Sequence, residues 1–409
     1  MSGEPDGTVR ATRRLKRLQL PDRTNADGVL VTELEDRVKA VAGAHKIDFD
    51  LTSVHTGAFP PPPYFLESTA RAIREGRPGY TAIRGDFGVR TALAPRLERM
   101  LGVPVDPAAN LLLTAGTQAA LFATFSVLVE AGDTVLVADP EYMCEERVAR
   151  FFGADVRRVP FARRGPDASL DLDAVERGLR DGARVLVFSN PHNPTGSVMS
   201  ADSLSRLAEL VVEADAWVIA DELYARFVYD DGPMEHLIAR PGMADRCVTC
   251  LGPSKTESAS GFRVGALVGP PQLLKMVARV VEITTIRAPA YAQYALEHWL
   301  TDEDQSFVNG YLTRYRHLRE LTVERLGQVE GVTVQVPAAT AWLFPDVSGL
   351  GRAEHEVVEA LIEAGILVML GSSFGPAGEG CLRMAFGHHE QIWPGALDRI
   401  AETLDGLRR

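Results

Sequence analysis

Cysteine is scarce in this chain: there are four in 409 residues, at positions 144, 247, 250 and 381. That is too few to staple a protein of this size with disulfides. Cys247 and Cys250 form a C-x-x-C pair, but no second pair or histidine cluster lies near enough in sequence to complete a zinc site, so they read as small residues on a buried strand. No apolar run approaches the roughly 18 residues of a membrane helix, and the N-terminus lacks the apolar centre of a secretory signal. The chain is therefore expected in the cytoplasm. An excess of basic charge is missing too, since the net charge is −12. This argues against nucleic acid or an anionic membrane as a general partner and leaves a small soluble substrate. There is no internal repeat, and no low-complexity tract beyond the prolines at 60–63. What the chain does have is bulk: 46% hydrophobic residues over this length can bury a large core divided among two or three domains.

Residues 1–29 are polar, with a basic cluster at Arg10, Arg13, Arg14, Lys16 and Arg17, and read as a flexible arm. From about 65 to 310, helix-period segments alternate with short apolar runs at 111–114, 134–138, 156–159, 184–188, 217–220 and 247–251. Short apolar strands separated by helices predict an α/β domain with a mainly parallel sheet covered on both faces. Beyond 310 the pattern becomes a long helix over 311–329, a strand at 332–336 and an α+β tail that closes with a helix near 392–407, which together read as a smaller domain over 311–409. The segment 30–64 is expected to join that smaller domain from the N-terminal side.

Candidate chemistry gathers at the ends of the predicted strands, where ligands collect in parallel sheets. Lys255 follows the run 246–251 in a loop of small residues, Gly252-Pro-Ser254-Lys, with Arg263 eight positions on. A lysine amine, with a reference pKa of about 10.4, becomes a nucleophile at neutral pH when it is desolvated or set beside another cation. Gly116, Thr117 and Gln118 lie where a strand turns into a helix, so free backbone N–H groups can seat a phosphate. Tyr142, in Asp139-Pro-Glu-Tyr, can stack on a planar ring. Asn193 lies between two prolines in Asn190-Pro-His-Asn-Pro-Thr-Gly196, which hold the loop extended and fix the direction of its amide. Asp221 closes a strand and calls for a cationic partner; a protonated pyridine nitrogen is one, held by a bond of roughly 1.5–3 kcal/mol. Tyr224 is three residues further on. Arg263 suits a phosphate and Arg383 a substrate carboxylate, because a guanidinium binds either through two parallel hydrogen bonds. Each of these residues alone also has a structural reading as a cap, a core tyrosine or a surface arginine.

In combination, Asn193, Asp221, Tyr224, Lys255, Arg263 and Arg383 resemble the fold type I pyridoxal phosphate enzymes of the aspartate aminotransferase superfamily, class I/II, over about residues 45–407. The resemblance implies a seven-stranded type of mainly parallel sheet in a large cofactor domain at 65–310. It also implies pyridoxal 5'-phosphate as cofactor. Lys255 becomes the Schiff-base lysine and proton shuttle, and Asp221 the partner of the ring nitrogen. Tyr142 stacks on the ring, while Asn193 and Tyr224 contact its hydroxyl. Gly116, Thr117, Gln118, Ser254 and Arg263 hold the phosphate, and Arg383 holds the substrate carboxylate. Tyr80, in Gly79-Tyr-Thr, matches a tyrosine that in this family reaches the neighbouring subunit's phosphate, which implies a homodimer with shared active sites. The activity implied is amino-group transfer from an α-amino acid to a 2-oxo acid.

Three departures from the family pattern bear on the reaction. Gly252 stands where relatives often carry a serine, removing one phosphate donor. The segment 51–57, which ends at Gly57, replaces the usual glycine-rich substrate loop and brings in His55, either a proton-transfer group or a structural histidine. Arg287 resembles a second arginine for a distal carboxylate but lies two residues nearer Lys255 than in relatives. With Thr32 and Glu35 as possible guanidinium contacts, His55 supports an alternative: oxidation, cyclisation or elimination on arginine or a related amino acid through the same carbanion. A non-catalytic effector domain would need an attached helix-turn-helix domain, and the arm is too short to hold one.

Overall fold

In the computed structural model, residue 14 and residues 33–54, 57–162, 169–229 and 234–408 are described. The arm at 1–29 lies outside these apart from Arg14, as do Thr32 and His55. Glu35 lies in the helix Glu33–Ala44, but its side chain is outside the described set.

The first strand, β1 (Phe49–Asp50), is short and pairs away from the main sheet. The main sheet has seven strands: β2 (Leu111–Thr114), β3 (Thr134–Asp139), β4 (Asp155–Pro160), β5 (Val185–Ser189), β6 (Trp217–Asp221), β7 (Cys247–Leu251) and β8 (Gly265–Val268). Their order is β2-β8-β7-β6-β5-β3-β4, with β8 antiparallel to both of its neighbours and the other pairings parallel. All six runs expected from sequence are strands within one residue of the expected limits, and 111–114 and 247–251 match at both ends.

Alternation explains why the runs in the middle of the sheet are mostly apolar. Leu136, Leu186, Phe188, Val218 and Ala220 pack with the helices Phe87–Leu101, Leu172–Arg180 and Ala201–Glu213 on one face. Their neighbours in sequence, Val135, Val137, Val185, Val187 and Ile219, pack with Thr117–Leu128, Met143–Phe152 and Pro271–Ile283 on the other. Both faces are buried along β3, β5, β6 and β7, so these strands are apolar at nearly every position, whereas the edge strand β4 exposes Asp155, Arg157 and Arg158. Cys247 and Cys250 are buried on β7, as small residues of a buried strand, and Cys247 Sγ lies 4.0 Å from Thr249 Oγ1.

A separate apolar cluster unites the start and the end of the chain. Phe49, Leu51 and Phe59 pack with Tyr315, Leu361, Ile366 and Trp393, and β1 runs parallel to β10 (Ile366–Leu367). Beside it, β9 (Trp342–Leu343), β12 (Leu382–Ala385) and β11 (Met369–Leu370) form a three-stranded antiparallel sheet.

Two expectations need correction. The long helix spans Asp302–Gly327 and so starts nine residues before the expected position. Thr301 caps it by accepting from the Asp304 N–H, and Asp302, Glu303 and Asp304 put negative charge in its first turn. No strand forms at 332–336: Thr333 makes a single bridge to Asp346, and Val336 is exposed. Alternation alone does not make a strand where no neighbouring edge is available.

Candidate active site

Strand β3 leads to β4 on one side of the sheet and, through the next crossover, to β5 on the other. This reversal opens a crevice at the carboxyl ends of the strands. A cavity of about 360 Å³ lies there. Thr117, Gln118, Tyr142, Asn193, Asp221 and Tyr224 reach it from the ends of β2, β3, β5 and β6, while Ser254, Lys255 and Arg263 reach it from the loop after β7. Arg383 enters from β12.

Neighbouring residues hold each of these groups. The backbone N–H of Asn193 donates to Ser189 Oγ at 3.1 Å, and that hydroxyl donates to Glu141 Oε1 at 2.6 Å. Beside Asn193, His192 stacks on Phe161 with ring centroids 3.7 Å apart and bonds Thr195 Oγ1 through Nδ1. Burial pushes the His192 ring down to about 3, so it stays neutral and acts as a prop. The Lys255 loop is tied down two residues on. Glu257 is buried against Arg226 and accepts from Trp299 Nε1 at 3.2 Å, and Arg226 also bonds Asp304 at 2.6 Å on the long helix.

Electrostatics make the floor of the cavity acidic and its walls cationic. Burial lifts the Asp221 carboxyl to about 6, against the Leu223 N–H it accepts at 3.0 Å. Glu145, buried close by, is pushed well above the usual carboxylate range by burial and then by Glu141 and Asp221. Burial, followed by the Arg383 charge, lowers Lys255 to about 8, bringing its amine within reach of neutrality at physiological pH. Arg383 Nη1 donates to Asn193 Oδ1 at 3.2 Å and Nη2 to the Thr52 carbonyl at 3.0 Å. Since a guanidinium only donates, this fixes the carbonyl oxygen of Asn193 toward Arg383 and leaves its NH2 as the remaining donor.

The donor set fits a phosphorylated pyridoxal. Gly116 caps Thr117–Leu128 at a φ of 79° without a side chain, so the first N–H groups of the helix stay open to an anion. A Cβ on Gly116 would lie 2.4 Å from Arg263 Nη2, so the guanidinium fills the space a side chain would take. Asp221, buried with no arginine or lysine bonded to it among the described residues, suits a cationic ring nitrogen. Gly252 packs with its Cα hydrogen toward Gly265 and the Val264 carbonyl, both 3.3 Å from where a Cβ would stand, so backbone fills the place of the absent serine.

Comparisons with known proteins agree. The model for aminotransferase class I and II matches residues 52–400. The chain belongs to that family. The Thermus thermophilus aspartate/prephenate aminotransferase is 30% identical over 87% of this chain and 91% of its own. The Musicola paradisiaca aspartate aminotransferase is 27% identical over 94% and 96%. A crystal structure of a Rhodobacter sphaeroides aspartate aminotransferase superposes with a TM-score of 0.85 at 33% identity, covering 88% of this chain and 93% of that one. As a class I and II aminotransferase, this protein is a pyridoxal phosphate-dependent enzyme of fold type I.

Arg287 and Gly57, expected at the site, and Tyr80, expected to reach a neighbouring subunit, lie outside the cavity. Tyr80 is 81% exposed and stacks with Arg287, whose guanidinium carbon is 4.5 Å from the ring centroid. Neither lines the cavity. Gly57 is exposed and does not line it either; in the same segment Thr52 and Ser53 do. Sequence reading passed over Trp342, Met143 and Met369, which line the cavity without any polar or motif signal in the sequence around them.

Proposed function

We propose that this aminotransferase exchanges an amino group between an α-amino acid and a 2-oxo acid, using the cavity groups in the following roles. The N–H groups of Thr117 and Gln118, with Ser254 and Arg263, hold the cofactor phosphate. Tyr142 lies on the ring, Asn193 and Tyr224 donate to its hydroxyl, and Asp221 holds the ring nitrogen's proton. When bound, pyridoxal phosphate supplies an electron sink for the carbanion at the substrate α-carbon. Arg383 grips the substrate α-carboxylate and orients the α-hydrogen. The neutral Lys255 Nζ takes that proton and returns it one position along. The observation that carries this reading is one enclosed space in which a lysine held near 8, a buried aspartate and an arginine converge.

The Tyr80–Arg287 pair supports a homodimer in which each protomer presents the pair to the other's cavity. Ile283, Ile286 and Tyr291 expose apolar surface on the same stretch of chain. A guanidinium delivered there selects a second, distal carboxylate, and a dicarboxylic substrate agrees with the names of the aspartate aminotransferases it resembles. We divide the chain into a cofactor domain at 65–310 and a smaller one at 311–409 joined by 30–64. We place the enzyme in the cytoplasm, in keeping with its low cysteine content, four in 409 residues. No helix among the described residues is long and apolar enough to cross a membrane. Oxidation or cyclisation of arginine rests on His55 and Glu35, whose side chains lie outside the described residues.

Lys255→Ala tests the assignment. The purified variant is expected to lose the visible absorbance of lysine-bound cofactor together with amino transfer, and retention of either overturns it. Wild-type enzyme given an amino-acid panel is expected to release 2-oxo acid without oxygen uptake.

A further inference from the structure

We propose that Trp342 is a positioning residue that fixes the direction in which Tyr224 donates its hydroxyl proton. The Trp342 Nε1–H lies 2.7 Å from the Tyr224 oxygen, and both side chains are buried. An indole N–H can only donate. The Tyr224 oxygen is therefore the acceptor of this bond, and its own proton cannot point at the indole. Both residues line the cavity, so the proton is left for a group bound there. Accepting one hydrogen bond also makes a hydroxyl a better donor of the next, because the two bonds polarise each other.

The same indole ring carries a second duty. The Arg383 guanidinium carbon lies 3.9 Å from its centroid and 4.6 Å from that of Phe374, so the arginine is held between aromatic faces. Lys255 Nζ is 5.9 Å from the ring. The backbone sets this arrangement. Trp342 pairs with Ala385 across β9 and β12, two residues along the strand from Arg383, whereas Tyr224 comes from the turn after β6. Trp342 thus aligns a donor from the main sheet with a carboxylate clamp from the three-stranded sheet.

The inference rests on the proposed contact between Tyr224 and the cofactor hydroxyl, and the experiment separates the two. Holoenzymes of wild type, Trp342→Phe, Tyr224→Phe and the double variant are titrated with pH by visible absorbance, with near-ultraviolet circular dichroism confirming equal folding. Trp342→Phe keeps an aromatic face under Arg383 but removes the N–H. The midpoint is expected to rise by about half to one pH unit, the equivalent of one neutral hydrogen bond. In the Tyr224→Phe background the same change is expected to add nothing. A wild-type midpoint in Trp342→Phe, or a shift that persists without the Tyr224 hydroxyl, overturns the proposal. A wild-type midpoint in Tyr224→Phe instead overturns the Tyr224 contact itself. Binding of maleate, an unreactive dicarboxylate, reads the second duty: Trp342→Phe is expected to stay within about twofold of wild type and Trp342→Leu to bind roughly fivefold more weakly. Equal losses in both variants overturn a role for the ring face.

Discussion

The cavity and the Tyr80–Arg287 patch are both cationic and both contain tyrosine, yet their surroundings differ. In the cavity, Arg383 is buried between two rings and bonded to Asn193 and Thr52, so its charge is held before any substrate arrives. On the patch, the Arg287 guanidinium bonds the Thr81 carbonyl and lies over a tyrosine that is mostly in solvent. Arg383 is therefore preorganised for the carboxylate proposed for it, whereas the proposed role of the patch requires another surface to cover it. Enclosure turns an arginine into a site, because removing water strengthens each charge–dipole contact.

The largest expected effect breaks the cavity side of this comparison. Asp221→Asn removes the anion under the ring nitrogen, and steady-state turnover is expected to fall by at least about 10- to 100-fold, the range set by a charge-assisted bond of roughly 1.5–3 kcal/mol. A variant within twofold of wild type would remove Asp221 from the proposed role. Arg287→Ala probes the patch side. It is expected to lower kcat/KM for dicarboxylic substrates about tenfold and to leave monocarboxylic ones unchanged. Equal effects on both classes would argue for a structural arginine.

The smallest effect concerns timing rather than strength. In its proposed role Lys255 captures the cofactor when neutral, and its depressed value means that the neutral form appears as pH rises through about 8. The rate at which apoenzyme recovers visible absorbance with added pyridoxal phosphate is expected to climb through a midpoint near 8. A midpoint at or above 10 would mean that burial and Arg383 do not act on Lys255 as described.

The main sheet was largely readable from the sequence because a strand buried on both faces writes itself as an apolar run. β8 was missed: Gly265-Ala-Leu-Val follows directly on the Lys255 loop and opens on two small residues, so it reads as a continuation of that loop. The lysine, aspartate, asparagine and arginines were legible because their chemistry needs particular residue types at strand ends. Trp342 was not, since a tryptophan before leucine and phenylalanine reads as core. Its N–H acquires a partner only when β9 meets the turn after β6.

Residue type and local spacing, then, determined which groups can bind a phosphate, hold a proton or form an imine, since these are properties of side chains and of the turns that carry them. Which of those groups share one enclosure was decided by the tertiary structure. Arg383 and Lys255 come together, while Arg287 stays on the surface beside Tyr80. The reason is physical: pairing, burial and the shifted pKa values of Lys255 and Asp221 depend on distances across the sheet order, and the linear chain does not contain those distances.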